Sequence, residues 1–142
     1  MRTASTRVVR SALAIILGLA FISLLVEALE FGLVTLVNGS PTTDSETYYG
    51  IRNRSWFLVT KLVYNTIAAA AAGFAAALIA GYAHLRHGVA LALIQTLAFG
   101  WALTQEEMRR WTPDWVWVAL IVLTFAGIVL GARRAAARAA GP

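Results

Sequence analysis

Four long apolar stretches, at 11–37, 62–82, 89–103 and 115–131, alternate with short polar segments along the chain. A helix rises about 1.5 Å per residue and the hydrocarbon core of a bilayer is about 30 Å thick, so roughly 17–25 apolar residues suffice to cross it. The pattern therefore predicts an all-α integral membrane four-helix bundle, running up-down-up-down, with both termini cytoplasmic. Its spans fall at about 11–37, 57–83, 88–105 and 114–132. An outer loop at 38–56 and a basic cytoplasmic tail at 133–142 complete a single domain, 1–142, because such short connections leave no room for a separate soluble unit.

The polar segments refine this picture. The first is rich in Gly, Ser, Pro, Thr and Asp and predicts irregular structure, with Tyr48, Tyr49, Ile51, Trp56 and Phe57 lying along the outer interface. The turn at 84–88 is so short that spans two and three must be antiparallel neighbours. Pro113 is placed to start the last helix, and the alanine- and arginine-rich tail continues it for two turns along an anionic inner surface.

Composition agrees with the pattern: 59% of residues are hydrophobic and 13% are charged, against about 25% charged in a typical soluble domain. The absence of cysteine removes disulfides, thiol nucleophiles and thiolate metal ligands. The net charge of +5 does not indicate a nucleic-acid partner, because the arginines lie where membrane topology requires them. With the amino terminus inside, Arg2, Arg7, Arg10, Arg86, Arg133, Arg134 and Arg138 face the cytoplasm; Arg52, Arg54, Lys61, Arg109 and Arg110 face out. Trp56, Trp101, Trp111, Trp115 and Trp117 all map to the outer ends of spans, where indoles anchor at headgroup depth. The basic start followed by an apolar run also has the form of a secretory signal, but the run is about twice a signal's length and Glu27 and Glu30 interrupt it, so no cleavage is expected.

Glu27 and Glu30 are the costliest residues in the first span. Counted from the inner edge they lie about 22 Å and 27 Å along the helix, and Asn65 and Lys61 reach about 27 Å and 33 Å along the second. These depths predict a polar intramembrane cluster of Glu27, Glu30, Lys61, Tyr64 and Asn65 near the outer face. The favoured reading is a structural clamp. The sharper one is a proton or cation site, since burial brings an acidic group toward a working pKa.

Small residues at four-residue spacing supply helix-packing ridges: Ala14 and Gly18 in span one, Ala69, Gly73, Ala77 and Gly81 in span two, Gly127 and Gly131 in span four. Internal packing is preferred over a homo-oligomer contact. His84 and His87, three apart with no suitable third ligand nearby, read as a solvated turn, and Glu106, Glu107, Arg109 and Arg110 as an exposed charged rim. No catalytic motif, cofactor signature or metal set is present, so the chain is expected not to be an enzyme.

The late glutamate Glu27, the small-residue position Gly73, the His87-Gly88 and Pro113-Asp114-Trp115 entries and the Gly131-Ala132-Arg133 exit together resemble uncharacterised small four-span bacterial inner-membrane proteins. That resemblance implies a bacterial cytoplasmic membrane and brings no activity with it. The expected function is a non-catalytic structural or accessory subunit, partnered by the lipid bilayer and by its own copies or a larger membrane complex. The alternative is a small proton- or cation-coupled transporter or channel using Glu27 and Glu30.

Overall fold

The computed structural model describes residues 4–141; Arg2 and the side chain of Glu107, both weighed above, lie outside that description. The described residues form six helices: α1 (Ala4–Asn38), α2 (Ser45–Arg52), α3 (Ser55–Ala80), α4 (His84–Leu103), α5 (Glu106–Trp111) and α6 (Asp114–Ala140). Within α1, α3 and α6, the stretches Ser5–Asn38, Ser55–Ala80 and Asp114–Ala140 are long and apolar enough to cross a membrane. The shorter α4, with Arg86, His87 and Gln95 among its 20 residues, does not join them on composition.

The most extensive packing joins α3 to α6, which run in the same direction although they are not consecutive; α1 lies on α3, and α4 contacts α6, α3 and α1. Glycine explains the closeness of α3 and α6. A Cβ on Gly131 would sit 1.9 Å from the Ala70 carbonyl oxygen, and one on Gly73 would sit 2.1 Å from that of Ile128. Gly127 faces the Thr66 carbonyl in the same way, at 2.8 Å. Such contact is the means by which membrane helices associate when no hydrophobic force separates a neighbouring helix from a lipid tail. Elsewhere, Gly88 fits against Ala132, and Gly18 against Leu91 and Ala76. Buried Ala14, Ala69, Ala72, Ala76, Ala80, Leu91, Ala92 and Ile128 form the central cluster.

Outside this core the molecule is apolar. Ile16, Leu24 and Leu36 on α1, Ile67 on α3, Leu97 on α4 and Val122 on α6 are all exposed. Large apolar side chains distributed around the helices suit contact with acyl chains and not water.

Several elements differ from the sequence-based expectation. The 38–56 segment contains a true helix, α2, whose first turn is capped by Asp44: its Oδ2 accepts from the Thr47 N–H at 2.8 Å. Ile51 then packs against Val34 and Phe57, fixing α2 across the ends of α1 and α3. Gly81 lies one residue beyond α3 in a left-handed conformation (φ 68°), its N–H bonded to the Ala77 carbonyl. It therefore closes the helix as its cap, next to the Arg10 guanidinium. Trp117, expected as an interface anchor, is a core residue, 7% exposed and packed with Leu58, Val116 and Leu120. Two positions along a helix turn about 200°, so Trp115 and Trp117 cannot share a face. Trp56, Trp101 and Trp115 are exposed, while half-buried Trp111 stacks on Tyr49, the rings 4.9 Å apart.

The α3–α6 contact makes a direct prediction. Gly131→Val forces a side chain into the Ala70 backbone and is expected to destabilise the protein by about 1–3 kcal/mol or more. Thermal unfolding in detergent measures this; Gly100→Ala, where nothing lies within 4 Å, serves as a comparison.

Candidate functional site

The end of the molecule carrying α2 and α5 holds a buried polar cluster centred on Glu30, 5% exposed. Lys61 Nζ donates to Glu30 Oε2 at 2.5 Å, and Tyr64 Oη donates to the same oxygen at 3.0 Å. Arg52 Nε stands 2.8 Å from Oε1 in an ion pair, with Tyr48 Oη at 3.4 Å. Glu30 thus meets two cations and two phenols drawn from α2 and α3. Asn65 takes part indirectly: its side-chain nitrogen donates to the Lys61 carbonyl at 2.8 Å, one turn back along α3.

Local geometry explains why these groups meet. Lys61, Tyr64 and Asn65 are three and four residues apart and lie on one face of α3, the spacing of helical neighbours. Glu30 turns from α1 toward that face. Glu27 does not: a three-residue step rotates about 60° around the helix, and Glu27 is exposed, as is Ser23. Among the described residues Glu27 has no ion pair or hydrogen bond. The structure therefore joins Glu30, Lys61, Tyr64 and Asn65, and leaves Glu27 beside the cluster.

Arg52 and Tyr48 are the members that sequence reasoning missed, because they sit in a segment read as irregular. The signal was present in Asp44, an N-capping residue, followed by the acidic Glu46 in the first turn. Arg52 also lies over the Tyr49 ring at 5.0 Å. Burial, followed by the Glu30 charge, pushes the Tyr48 phenol well above its ordinary range, so it remains a donor. Thr47, through its side chain first and its N–H second, holds the exposed Asp44 carboxyl below the usual carboxylate value.

Next to the cluster lies a cavity of about 720 Å³, bounded by Val26, Glu27, Glu30 and Phe31 of α1, Tyr48 and Arg52 of α2, Lys61 and Asn65 of α3, Phe99 of α4 and Trp117 of α6. It is open at exposed Thr43 and Phe31. The buried Trp117 indole N–H has no acceptor among the described residues.

A second network ties the opposite end together. Ser11 Oγ is 2.9 Å from His87 Nε2 and 2.5 Å from Tyr82 Oη, and it donates to the Arg7 carbonyl at 3.0 Å. Arg10 donates through Nε and Nη2 to the Ile79 carbonyl, at 3.1 and 2.8 Å. His87, read above as part of a solvated turn, is 9% exposed, because the α3–α4 turn folds it onto α1. A serine beside a histidine also has the form of a nucleophile and base. Ser11, however, lies inside a long helix whose N–H groups are already used, so no backbone donor is free to stabilise an oxyanion. The pair acts as a lock between α1 and the first turn of α4. Among the described residues no three metal-ligating side chains converge.

Compared with known proteins, the chain matches no family model, no curated protein and no solved structure. The functional reading therefore rests on the site itself.

Two outcomes follow from the cluster. Glu30→Ala leaves Lys61 and Arg52 buried without their counter-charge and is expected to cost about 3–5 kcal/mol, whereas Glu30→Leu combined with Lys61→Met recovers much of that loss; thermal unfolding of the single and double variants measures both. At α2, a lowered folded-state pKa means that the Asp44 cap contributes fully above the ordinary value of 3.8 and fades as pH falls through the lower, folded-state value. The Thr47 amide proton resonance should accordingly titrate with a midpoint below 3.8.

Proposed function

We propose that the protein is a non-catalytic, four-span integral membrane protein of a bacterial cytoplasmic membrane, acting as a structural or accessory subunit that associates with its own copies or with a larger membrane complex. In this reading α4 is the fourth crossing. Its 20 residues extend about 30 Å, it is packed against α1, α3 and α6, and its polar His87 is buried against Ser11. The helices then form an up-down-up-down bundle with both termini in the cytoplasm. Arg7, Arg10, Arg86, Arg133, Arg134 and Arg138 lie at the inner end, in keeping with the inward bias of positive charge.

The observation that carries the proposal is the way Glu30 is used. A carboxylate that relays protons must exchange its partners, but Glu30 is shared between two cations and two phenols, so releasing its charge would leave those cations buried and unpaired. Such a carboxylate holds α1, α2 and α3 in place. One observation favours the second reading, a proton- or cation-coupled carrier: Glu27 borders the cavity and, among the described residues, makes no hydrogen bond or ion pair there.

Reconstitution into liposomes separates the two. The subunit reading expects no saturable solute or proton flux that Glu27→Gln or Glu30→Gln abolishes, and a flux lost in Glu27→Gln establishes the carrier. Purification in a gentle detergent is expected to yield a homo-oligomer or a stoichiometric foreign chain; a monomer without flux would remove both readings.

A further inference from the structure

Charge is divided between the two ends of the molecule. All seven Asp and Glu residues belong to the second half of α1, to α2 and its cap, to α5 and to the first residue of α6, which share one end. The opposite end carries Arg7, Arg10, Arg86, Arg133, Arg134 and Arg138 and no Asp or Glu. Arg7 lies over the Tyr82 ring, Arg10 donates to the Ile79 carbonyl, and Arg86 sits in a hollow formed by α4 alone. Arg134 differs. It stands at the end of a groove of about 600 Å³ between α3 and α6, is exposed, and has no hydrogen bond or ion pair among the described residues. Arg138, also exposed, follows one turn later on the same face of α6.

The groove is a product of the glycine contact. Ala70 and Gly131 bring the two backbones together without filling the space above them, so Ile67 and Phe74 on one side and Leu130 on the other stand as walls. Counted from Ser55 and Asp114, Ile67 lies about 18 Å, Leu130 about 24 Å and Arg134 about 30 Å along their helices. With a hydrocarbon core about 30 Å thick, the apolar walls occupy one leaflet and the guanidinium reaches its headgroups.

We propose that this groove holds one anionic phospholipid, an acyl chain lying between the Ile67, Phe74 and Leu130 walls and the phosphate bonded to Arg134, with Arg138 adding charge. A guanidinium matches a phosphate in geometry and in sign, and basic residues at the membrane edge select headgroups of net negative charge. A zwitterionic amine lipid brings an ammonium that finds no carboxylate at this end of the chain. A second copy of the protein is a poorer occupant. Inserted in the same direction, it places its own acidic residues on the far side of the membrane and its own arginines opposite Arg134. The inference rests on α3 and α6 crossing a membrane, and it holds whether the protein is a subunit or a carrier.

The test is native mass spectrometry of the full chain released from mild detergent, titrated with dioctanoyl phosphatidylglycerol and, separately, with dioctanoyl phosphatidylcholine. Retention of one phosphatidylglycerol in preference to phosphatidylcholine, weakened about tenfold by Arg134→Gln, supports the proposal. Arg133→Gln removes an equal charge from a position turned about 100° around α6 and is expected to bind as the wild type does. Ala71→Phe, at an exposed position lining the groove, is expected to weaken retention several-fold and to leave the headgroup preference unchanged. Because Arg134 and Ala71 are exposed, both variants should melt with the wild type, so a loss of lipid is not a loss of fold. The proposal is overturned if the two lipids are retained equally, if Arg134→Gln loses no more than Arg133→Gln, or if the groove is filled by a second copy, seen as a dimer that Ala71→Phe dissociates. A chain that carbonate washing strips from membranes overturns the transmembrane reading as well; an embedded chain without lipid preference overturns this inference alone.

Discussion

Burying one carboxylate organises the α2 and α5 end of this molecule. Glu30 cannot leave water, or approach lipid, without partners to replace its hydration. Those partners come from two different elements, Lys61 and Tyr64 on α3 and Arg52 and Tyr48 on α2. The requirement therefore sets the rotation of α1, places the α3 polar face against it, and gives α2 a reason to be a short helix lying over the cluster. The Asp44 cap and the Ile51 contact with Val34 and Phe57 then secure α2 in the position from which Arg52 reaches Glu30.

The rest of the molecule is organised by an absence of side chains. Gly73, Gly127 and Gly131 bring α3 and α6 into backbone contact, a pairing of parallel, non-consecutive helices. Because α1 packs on α3 and α4, the Glu27 face of α1 stands across a gap from Trp117 and Leu120 of α6. The cavity is that gap. The other end is tied together by direct bonds, with Ser11 joined to Tyr82 and His87 and Arg10 reaching the Ile79 carbonyl. One end of the structure is thus held by hydrogen bonds between helices, and the other by a charged cluster beside an open cavity.

The side chains that are costliest to bury within the bundle are bonded. Lys61, Asn65 and His87 are buried and bonded, and Glu30 is bonded several times over. Glu27 is exposed and makes no hydrogen bond or ion pair among the described residues, which separates it from the groups that hold the structure. Separation of two glutamates only three residues apart into these roles is a consequence of helix rotation and not of depth.

The sequence by itself determined what depends on composition and length: an all-helical chain, apolar runs of spanning length, and the common depth of Glu27, Glu30, Lys61, Tyr64 and Asn65, which follows from rise per residue and does not tell the two glutamates apart. It also marked Gly73, Gly127 and Gly131 as places where helices can meet, because small residues at that spacing permit it whatever the partner. Only the tertiary structure decided which helix each glycine meets, that Arg52 joins the cluster from a segment read as loop, that Trp117 and His87 face inward, and that Glu30 and not Glu27 takes the ion pairs. Each of these depends on the direction a side chain takes around its helix relative to a neighbour, and spacing along one helix carries no information about where that neighbour lies.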